Sequence, residues 1–246
     1  LPVPSGATTR WTNLPPTRTI PKWKWSKRPP SVALPFQEPA PDCPLCPRLV
    51  RFRTTNRKNF PDWHNGPVAS FGEMDATALI VGLAPGLRGA NCTGRPFTGD
   101  FAGDLLYGTL LKHGLAEGAF GARADDGFRL LRCRVTNAVR CVPPKNRPIG
   151  AETAACRSFL TEEIAGLAHL RVIVALGVVA HGAVLAALGL RKSAMAFRHG
   201  AMHPLPDGKI LADSYHCSRY NTNTGRLTEA MFHAVFATIV ENLPPP

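Results

Sequence analysis

The chain has 246 residues, 44% of them hydrophobic, enough to bury a core as one large domain or two small ones. Its formal net charge is +12, from 29 Lys+Arg against 17 Asp+Glu, which points to a polyanionic partner with nucleic acid first in line. No run approaches the roughly 18 apolar residues of a membrane span, and the Pro-rich beginning lacks the apolar stretch of a signal peptide, so the expectation is a soluble protein of the cytoplasm.

Residues 1 to 40 read as a Pro-rich basic tail, because proline recurs too often for regular structure. Within it, Pro21 to Arg28 interleaves Trp23 and Trp25 with cations, a pattern that suits stacking on bases and neutralising phosphates. The other reading is that Trp11, Trp23 and Trp25 anchor the tail on its own domain. Cys43-Pro-Leu-Cys46 follows, and Pro47 suits a first helical position. Residues 54 to 75 read as a loop. Ala78 to Leu83 is a strand, and Gly82 to Leu106 opens as a long loop with six glycines. Glycines admit close backbone approach to a ligand, and loops of this length are commonly functional. A helix covers about Gly103 to His113, then residues 114 to 127 are irregular.

The second strand spans about Phe128 to Val139, and Cys141 to Lys145 is the loop after it. A helix runs from about Ala151 to Leu167, the third strand from Arg171 to Leu176, and a small-residue helix from Gly177 to Leu188. Residues 195 to 211 carry turn chemistry and suit a short hairpin. Ile210 to Tyr215 is the fourth strand, His216 to Gly225 a polar loop, and Leu227 to Val240 the last helix. Four alternations of strand and helix favour an α/β fold, a parallel sheet covered on both faces.

Seven cysteines, an odd count in an apparently cytosolic chain, argue against a disulfide framework. Cys43 and Cys46 form a two-ligand bite that Cys141 and Cys156 can complete. Four thiolates suit zinc or an iron–sulfur cluster, and spacing does not choose between them. Cys92, Cys133 and Cys217 are left unligated.

Four blocks carry a resemblance: Cys43-x2-Cys46; the loop from Gly82 to Asp100, GLAPGLRGANCTGRPFTGD; Thr136-Asn-Ala-Val-Arg-Cys141-x-Pro-Pro144; and His216-x-Ser218-x-x-Asn221 through Thr228. Together they make the chain similar to the iron–sulfur uracil-DNA glycosylases, family 5 (type B) more than family 4. The resemblance implies a three-layer α/β/α sandwich with a four-stranded parallel central sheet, formed by residues 41 to 246 as a single domain. It implies a structural [4Fe–4S] cluster on Cys43, Cys46, Cys141 and Cys156. It also implies a monomeric, monofunctional glycosylase. Its substrate would be uracil, with other deaminated or damaged bases, in double-stranded DNA with the base flipped out; single-stranded DNA is the open second form. Two departures stand out. Cys217 replaces the proline of the family's His-Pro-Ser motif, and Leu83 stands where family 4 has Glu, which agrees with family 5.

The resemblance also implies roles. Phe97 stacks on the base, and Asn137 pairs with uracil O4 and N3–H, as an amide can. His216 donates to O2 of the departing base; such donors supply the largest catalytic term. The backbone of Ala84, Pro85 and Gly86 lines the pocket. Asn91 and Asp100 are alternatives for holding the water, though Asp100 equally suits the N-cap of the next helix. Ser218 contacts a phosphate, and Arg219, Tyr220 and Asn221 form the wedge that fills the vacated stack. Lys145, Arg147 and Arg226 meet phosphates. The working hypothesis is that binding, not a strong base, carries catalysis. Two other readings stand beside this one: a cluster-bearing DNA sensor without turnover, and a Rossmann-like nucleotide-binding enzyme. The spacing of Gly82, Gly86 and Gly89 does not suit the latter.

Overall fold

The computed structural model describes residues 36–245, so the readings of the Trp-bearing tail lie outside the described residues. Glu38 already belongs to the domain: its carboxylate meets Arg134 and Arg140 at 3.1 and 3.0 Å.

In chain order the elements are α1 (Pro47–Asn59), β1 (Ala78–Gly82), α2 (Ala90–Thr93), α3 (Phe101–Lys112), β2 (Ala116–Glu117), β3 (Arg129–Leu130), β4 (Cys133–Asn137), α4 (Gly150–Ala155), α5 (Arg157–Gly166), β5 (Val172–Leu176), α6 (Val178–Ala187), β6 (Met202–Pro204), β7 (Ile210–Ser214), α7 (Arg219–Asn223) and α8 (Glu229–Glu241). The central sheet has the order β4-β1-β5-β7-β6. β4, β1, β5 and β7 are parallel, while β6 pairs antiparallel with β7. The expected four parallel strands are therefore present, and the count is corrected to five: the hairpin ending at Pro206-Asp207-Gly208 adds an edge strand.

Other boundaries move for local reasons. α1 runs to Asn59, well into the stretch expected to be loop, and Leu49, Arg53 and Asn56 are buried along it. The long second strand is interrupted at Arg132, whose φ of 58° turns the chain. Its first part, β3, leaves to pair with β2 in a separate two-stranded sheet. The helix expected over 151–167 breaks at Cys156. The polar loop after β7 contains the short helix α7.

Strand side chains alternate between two cores. Ile80, Val135, Val174 and Ala212 face α3 and α8 through Leu106, Leu110, Phe232 and Phe236. Leu79, Ile173, Ala175 and Leu211 face α5 and α6 through Leu160, Ile164, Ala180 and Val184. Burial on both faces explains why the strands read as continuous apolar runs. A third cluster, Cys46, Leu49, Val139, Cys141 and Cys156, sits where α1 meets the chain after β4. Among the described residues no helix is long and apolar enough to cross a membrane. All four parallel strands end at one edge, the edge at which open α/β sheets bind ligands.

Candidate active site

Gly82 ends β1 and is the register partner of Asn137, which ends β4. A Cβ on Gly82 would fall 2.5 Å from Asn137 Oδ1 and 2.5 Å from Phe97 Cζ. The absent side chain is thus the place where an amide and an aromatic ring converge. The Phe97 ring faces the His216 ring, with centroids 5.9 Å apart and planes 24° from parallel. Phe97, Asn137 and His216, for which the resemblance implies stacking, edge reading and donation, come from three separate stretches of sequence and are brought together here, Asn137 and Phe97 at Gly82 and His216 against Phe97.

Phe97 is held there against its backbone preference. Its φ is 52°, left-handed for a bulky residue, a conformation that persists only where surroundings enforce it. Arg95 does much of the enforcing. Its guanidinium makes a bidentate pair with Asp126 at 2.8 and 2.7 Å, and its Nε donates to Thr98 Oγ1 at 2.9 Å. The same guanidinium lies over Phe71, 4.9 Å from the ring centroid, with Phe120 at 5.6 Å and Tyr107 at 5.7 Å. The Tyr107 hydroxyl donates to Pro96 O at 2.5 Å. Gly103 completes the fit, because any Cβ there would collide with the Phe97 carbonyl.

His216 leaves the end of β7 half-buried, and burial pushes its pKa down to about 4. The ring is therefore neutral at physiological pH and carries one N–H donor. Asn221 Nδ2 donates to the His216 carbonyl at 2.8 Å, so it braces the loop from below. Ser218 caps α7, its Oγ accepting from Asn221 N at 3.4 Å. Cys217, where proline was expected, is fully buried and its Sγ donates to Ala102 O at 3.4 Å. That contact ties the turn to the start of α3 and replaces part of the stiffness proline would give. Tyr220 stands 73% exposed at the tip, the exposure a wedge needs. Arg219 lies over the Phe101 ring and Arg226 over the Tyr215 ring, at 5.5 and 4.6 Å.

On the other side, Lys145 and Arg147 are exposed in the loop after β4. Between them Asn146 Oδ1 accepts from Leu87 N at 3.3 Å, which joins this loop to the segment following Ala84, Pro85 and Gly86.

The two candidates for holding water separate. Asn91 is 1% exposed and its Nδ2 donates to Asn65 Oδ1 at 2.9 Å. Through that amide it braces α2 against the chain after α1, while its buried Oδ1 has no hydrogen-bond partner among the described residues. Asp100 is the N-cap of α3, Oδ1 accepting from Gly103 N at 3.1 Å. Its Oδ2 lies against the glycine loop, 3.1 Å from where a Gly86 Cβ would stand. Although the residue keeps solvent access, the protein crowding its carboxyl raises the pKa, while the Gly103 and Ala102 N–H groups oppose that. The same carboxylate thus caps α3 with one oxygen and presents the other to the glycine loop.

The four cysteines also gather. Burial pushes the Cys46 thiol up to about 11, with Cys156, Glu152 and Cys43 adding to the shift, and the Cys141 thiol up to about 12, with Cys156 next in effect. Thiols that raise one another's pKa by mutual charge form a site whose thiolates need a cation to share. Arg53, 4% exposed, supplies part of that charge: its Nη1 is 3.8 Å from Cys141 Sγ and its Nη2 donates to Cys43 O at 3.1 Å. Arg48 pairs with Glu152 at 2.7 Å and so binds α1 to α4 beside the quartet. A soft four-thiol set of this kind, three of its members buried and Cys43 partly so, fits an iron–sulfur cluster.

The family model described as the uracil DNA glycosylase superfamily matches residues 69–240. The chain belongs to this superfamily. A type-5 uracil-DNA glycosylase of Thermus thermophilus is 50% identical over 196 residues, covering 77% of this chain and 89% of that protein. One of Mycobacterium tuberculosis is 41% identical over 202 residues, covering 79% and 75%. A type-4 uracil-DNA glycosylase of Pyrobaculum aerophilum is 36% identical over only 130 residues, 52% of this chain and 58% of that protein. The likeness therefore runs to the type-5 members of the superfamily, in agreement with Leu83.

Within this superfamily member, three parts of the site were missed in the sequence. Gly82 reads in the sequence as a loop glycine at a strand end, and its place opposite Asn137 emerges only from the β1–β4 register. Asp126 lies in the stretch read as merely irregular. Arg140, in the Asn137 block, is 1% exposed and pairs with Glu163 Oε2 at 2.6 Å, while Arg134 holds the other oxygen at 2.6 Å. That buried network fixes the chain between Asn137 and Cys141.

Proposed function

We propose that the chain is a monofunctional DNA glycosylase that hydrolyses the N-glycosidic bond of uracil, and of other deaminated or damaged bases, to begin base excision repair. The observation that carries this reading is the meeting of Asn137 and Phe97 at the space left by Gly82, with the His216 ring facing Phe97. The type-5 relatives, named for uracil-DNA glycosylase activity, support it.

The target nucleotide leaves the duplex stack at a cost of a few kcal/mol, least for a mispaired base. Phe97 offers the flipped ring its face. Asn137 accepts from N3–H and donates to O4, so its amide selects uracil. As the C1′–N1 bond breaks, its electron pair goes to the base, and neutral His216 donates its N–H to O2 where that charge gathers. Stabilising such charge in a dry site is worth about 10²–10³ in rate per donor. Water adds its oxygen to C1′ and releases a proton, which the Asp100 carboxylate can take; the uracil anion is then protonated from solvent. Tyr220, with Arg219, fills the vacated stack, and Lys145, Arg147, Arg226 and Ser218 meet the backbone.

Cys43, Cys46, Cys141 and Cys156 would hold a [4Fe–4S] cluster, which ties α1 to the chain after β4 and takes no part in the chemistry. The proposal includes a monomer that works in the cytoplasm beside its DNA. The test is single-turnover excision by purified protein over a panel of damaged bases, in duplex and single strands, with absorption near 400 nm read alongside. Binding without alkali-labile strands on every substrate would leave only a DNA sensor.

A further inference from the structure

Asp213 lies within β7 with no solvent exposure, yet its carboxylate is fully engaged. Oδ1 accepts from His181 Nδ1 at 2.7 Å, and Oδ2 from His203 Nε2 at 2.9 Å and Arg198 N at 3.2 Å. His181 Nε2 faces the Met195 carbonyl at 3.0 Å. The trio has the donor types of a metal site, but these are direct hydrogen bonds, and the groups already satisfy one another. What they hold is the α6–β6 segment, residues 188–201. A buried carboxylate is costly unless fully partnered, so its presence under an edge hairpin calls for a reason.

The segment is also pinned to the turn that carries His216. Gly200 N donates to Asp213 O at 2.8 Å. Tyr215 N donates to His199 Nδ1 at 3.1 Å, and those two rings stack 4.9 Å apart and 8° from parallel. Burial lowers the His199 pKa, which keeps Nδ1 free to accept. The segment therefore sits at the carboxyl edge of the sheet, in fixed register with the active site.

The side chain this anchored loop presents is Arg198, exposed and with no carboxylate partner among the described residues. Exposed Arg226 lies 4.6 Å over Tyr215, the ring on which His199 stacks. We propose that Arg198 and Arg226 form a phosphate clamp on the DNA strand that enters at the His216 turn, and that Asp213, His181 and His203 set the position of Arg198. A guanidinium fork matches a phosphodiester and keeps its charge at any working pH. The proposal rests on the DNA glycosylase reading, in which Arg226 already meets the backbone, and adds to it Arg198, from a segment that the sequence blocks did not mark.

The test uses the full-length holoprotein and a short duplex, with one U·G pair for excision and with none for binding. Arg198→Gln and Arg226→Gln should each raise KM about five- to ten-fold and lower the slope of log affinity against log salt by about one, with kcat within two-fold. Lys209→Gln, which removes one charge at the opposite end of β7, should leave the slope as it is. His203→Gln should raise KM in the parent but not further in Arg198→Gln, as for residues acting through one contact. An unchanged slope in Arg198→Gln overturns the clamp while leaving uracil excision standing. Because the slopes are read on undamaged DNA, they judge the clamp even if the parent excises no uracil, which would overturn the glycosylase reading instead.

Discussion

Gly82 and Asn137 face each other at the end of the β1–β4 pairing, and a Cβ on Gly82 would lie 2.5 Å from Asn137 Oδ1. The same Cβ would press on the Phe97 ring, so one methyl group would displace both the Asn137 amide and the Phe97 ring. The backbone of Gly82 is ordinary strand, and the fold tolerates the change by moving those two side chains. Gly82→Ala is expected to keep its Tm within a few degrees while kcat/KM for uracil drops at least 100-fold. Excision within three-fold of the parent would show that the pocket floor lies elsewhere.

Arg95 and Asp126 are both buried, and the pair keeps Phe97 in its left-handed conformation. The Arg95 hydrogen bonds hold the Asp126 carboxyl well below the usual carboxylate range, against the opposing effect of burial. Asp126→Ala leaves a guanidinium buried without its anion, a loss of about 3–5 kcal/mol for a pair of this kind. The pH dependence has a definite sign. A lowered folded pKa stabilises the protein above the ordinary carboxylate value near 3.9 and loses that stabilisation as pH falls through the folded value. Denaturant titrations at neutral pH and in acid check both: the variant should be weaker at neutral pH, and its disadvantage should shrink in acid.

The sequence made much of this molecule legible because the parallel strands are buried on both faces. Ala78 to Val81 and Arg171 to Leu176 read as strands from apolar runs alone, and Asn137 and His216, which the resemblance singles out, fall at or just past strand ends. What stayed hidden depends on contacts distant in sequence. Asp126 sits in a stretch with no period, and its partner Arg95 is 31 residues away. Glu163 looks like an ordinary helix residue, yet it neutralises Arg134 and Arg140. Arg132 interrupts the second strand through a backbone angle that no side-chain pattern announces. Asn91 and Asp100 read alike in the glycine loop, and only packing shows a buried amide with one free oxygen in the first and a helix-capping carboxylate facing Gly86 in the second.

Asp100 caps α3 with one oxygen and turns the other toward the glycine loop. Asparagine keeps the cap, since its carbonyl oxygen accepts the same hydrogen bond, but removes the charge. Asp100→Asn is expected to leave Tm unchanged and to slow excision by less than about 100-fold, because an oxocarbenium-like centre needs little help from a base. Asp100→Ala should also lose about 0.5–2 kcal/mol with the cap. A fall of four orders of magnitude in Asp100→Asn would refute the idea that binding carries the catalysis.

The cysteine quartet sets up an expectation about folding as well as colour. If Cys156, 6% exposed among Cys46, Cys141 and Leu49, is a cluster ligand, Cys156→Ser should bleach the absorption near 400 nm and lower iron and sulfide content together. Loss of the shared cation leaves buried thiols and Arg53 to be accommodated without it, so Tm should fall too. Cys92→Ser should change neither, and a Cys156→Ser protein with full iron content would remove Cys156 from the ligand set.

His216 provides the sharpest pH signature. Burial lowers its pKa to about 4 from an ordinary value near 6.5, so the neutral donor persists through the range where a free histidine would protonate. Asp100, whose pKa is raised, can add its own acid limb, so the cleanest profile is that of Asp100→Asn. In that background kcat/KM should run flat through pH 6.5 and turn down only toward about 4. Stability follows the same group with a definite sign: between about 6.5 and 4 the unfolded chain binds a proton that the folded site refuses. The contribution is therefore complete above 6.5 and declines as pH falls, by at most about 1.4 kcal/mol per pH unit. His216→Ala should flatten that part of the stability curve and slow excision by about 10²–10³. An inflection of kcat/KM near 6.5 in Asp100→Asn would mean that His216 is more open to water than this burial implies.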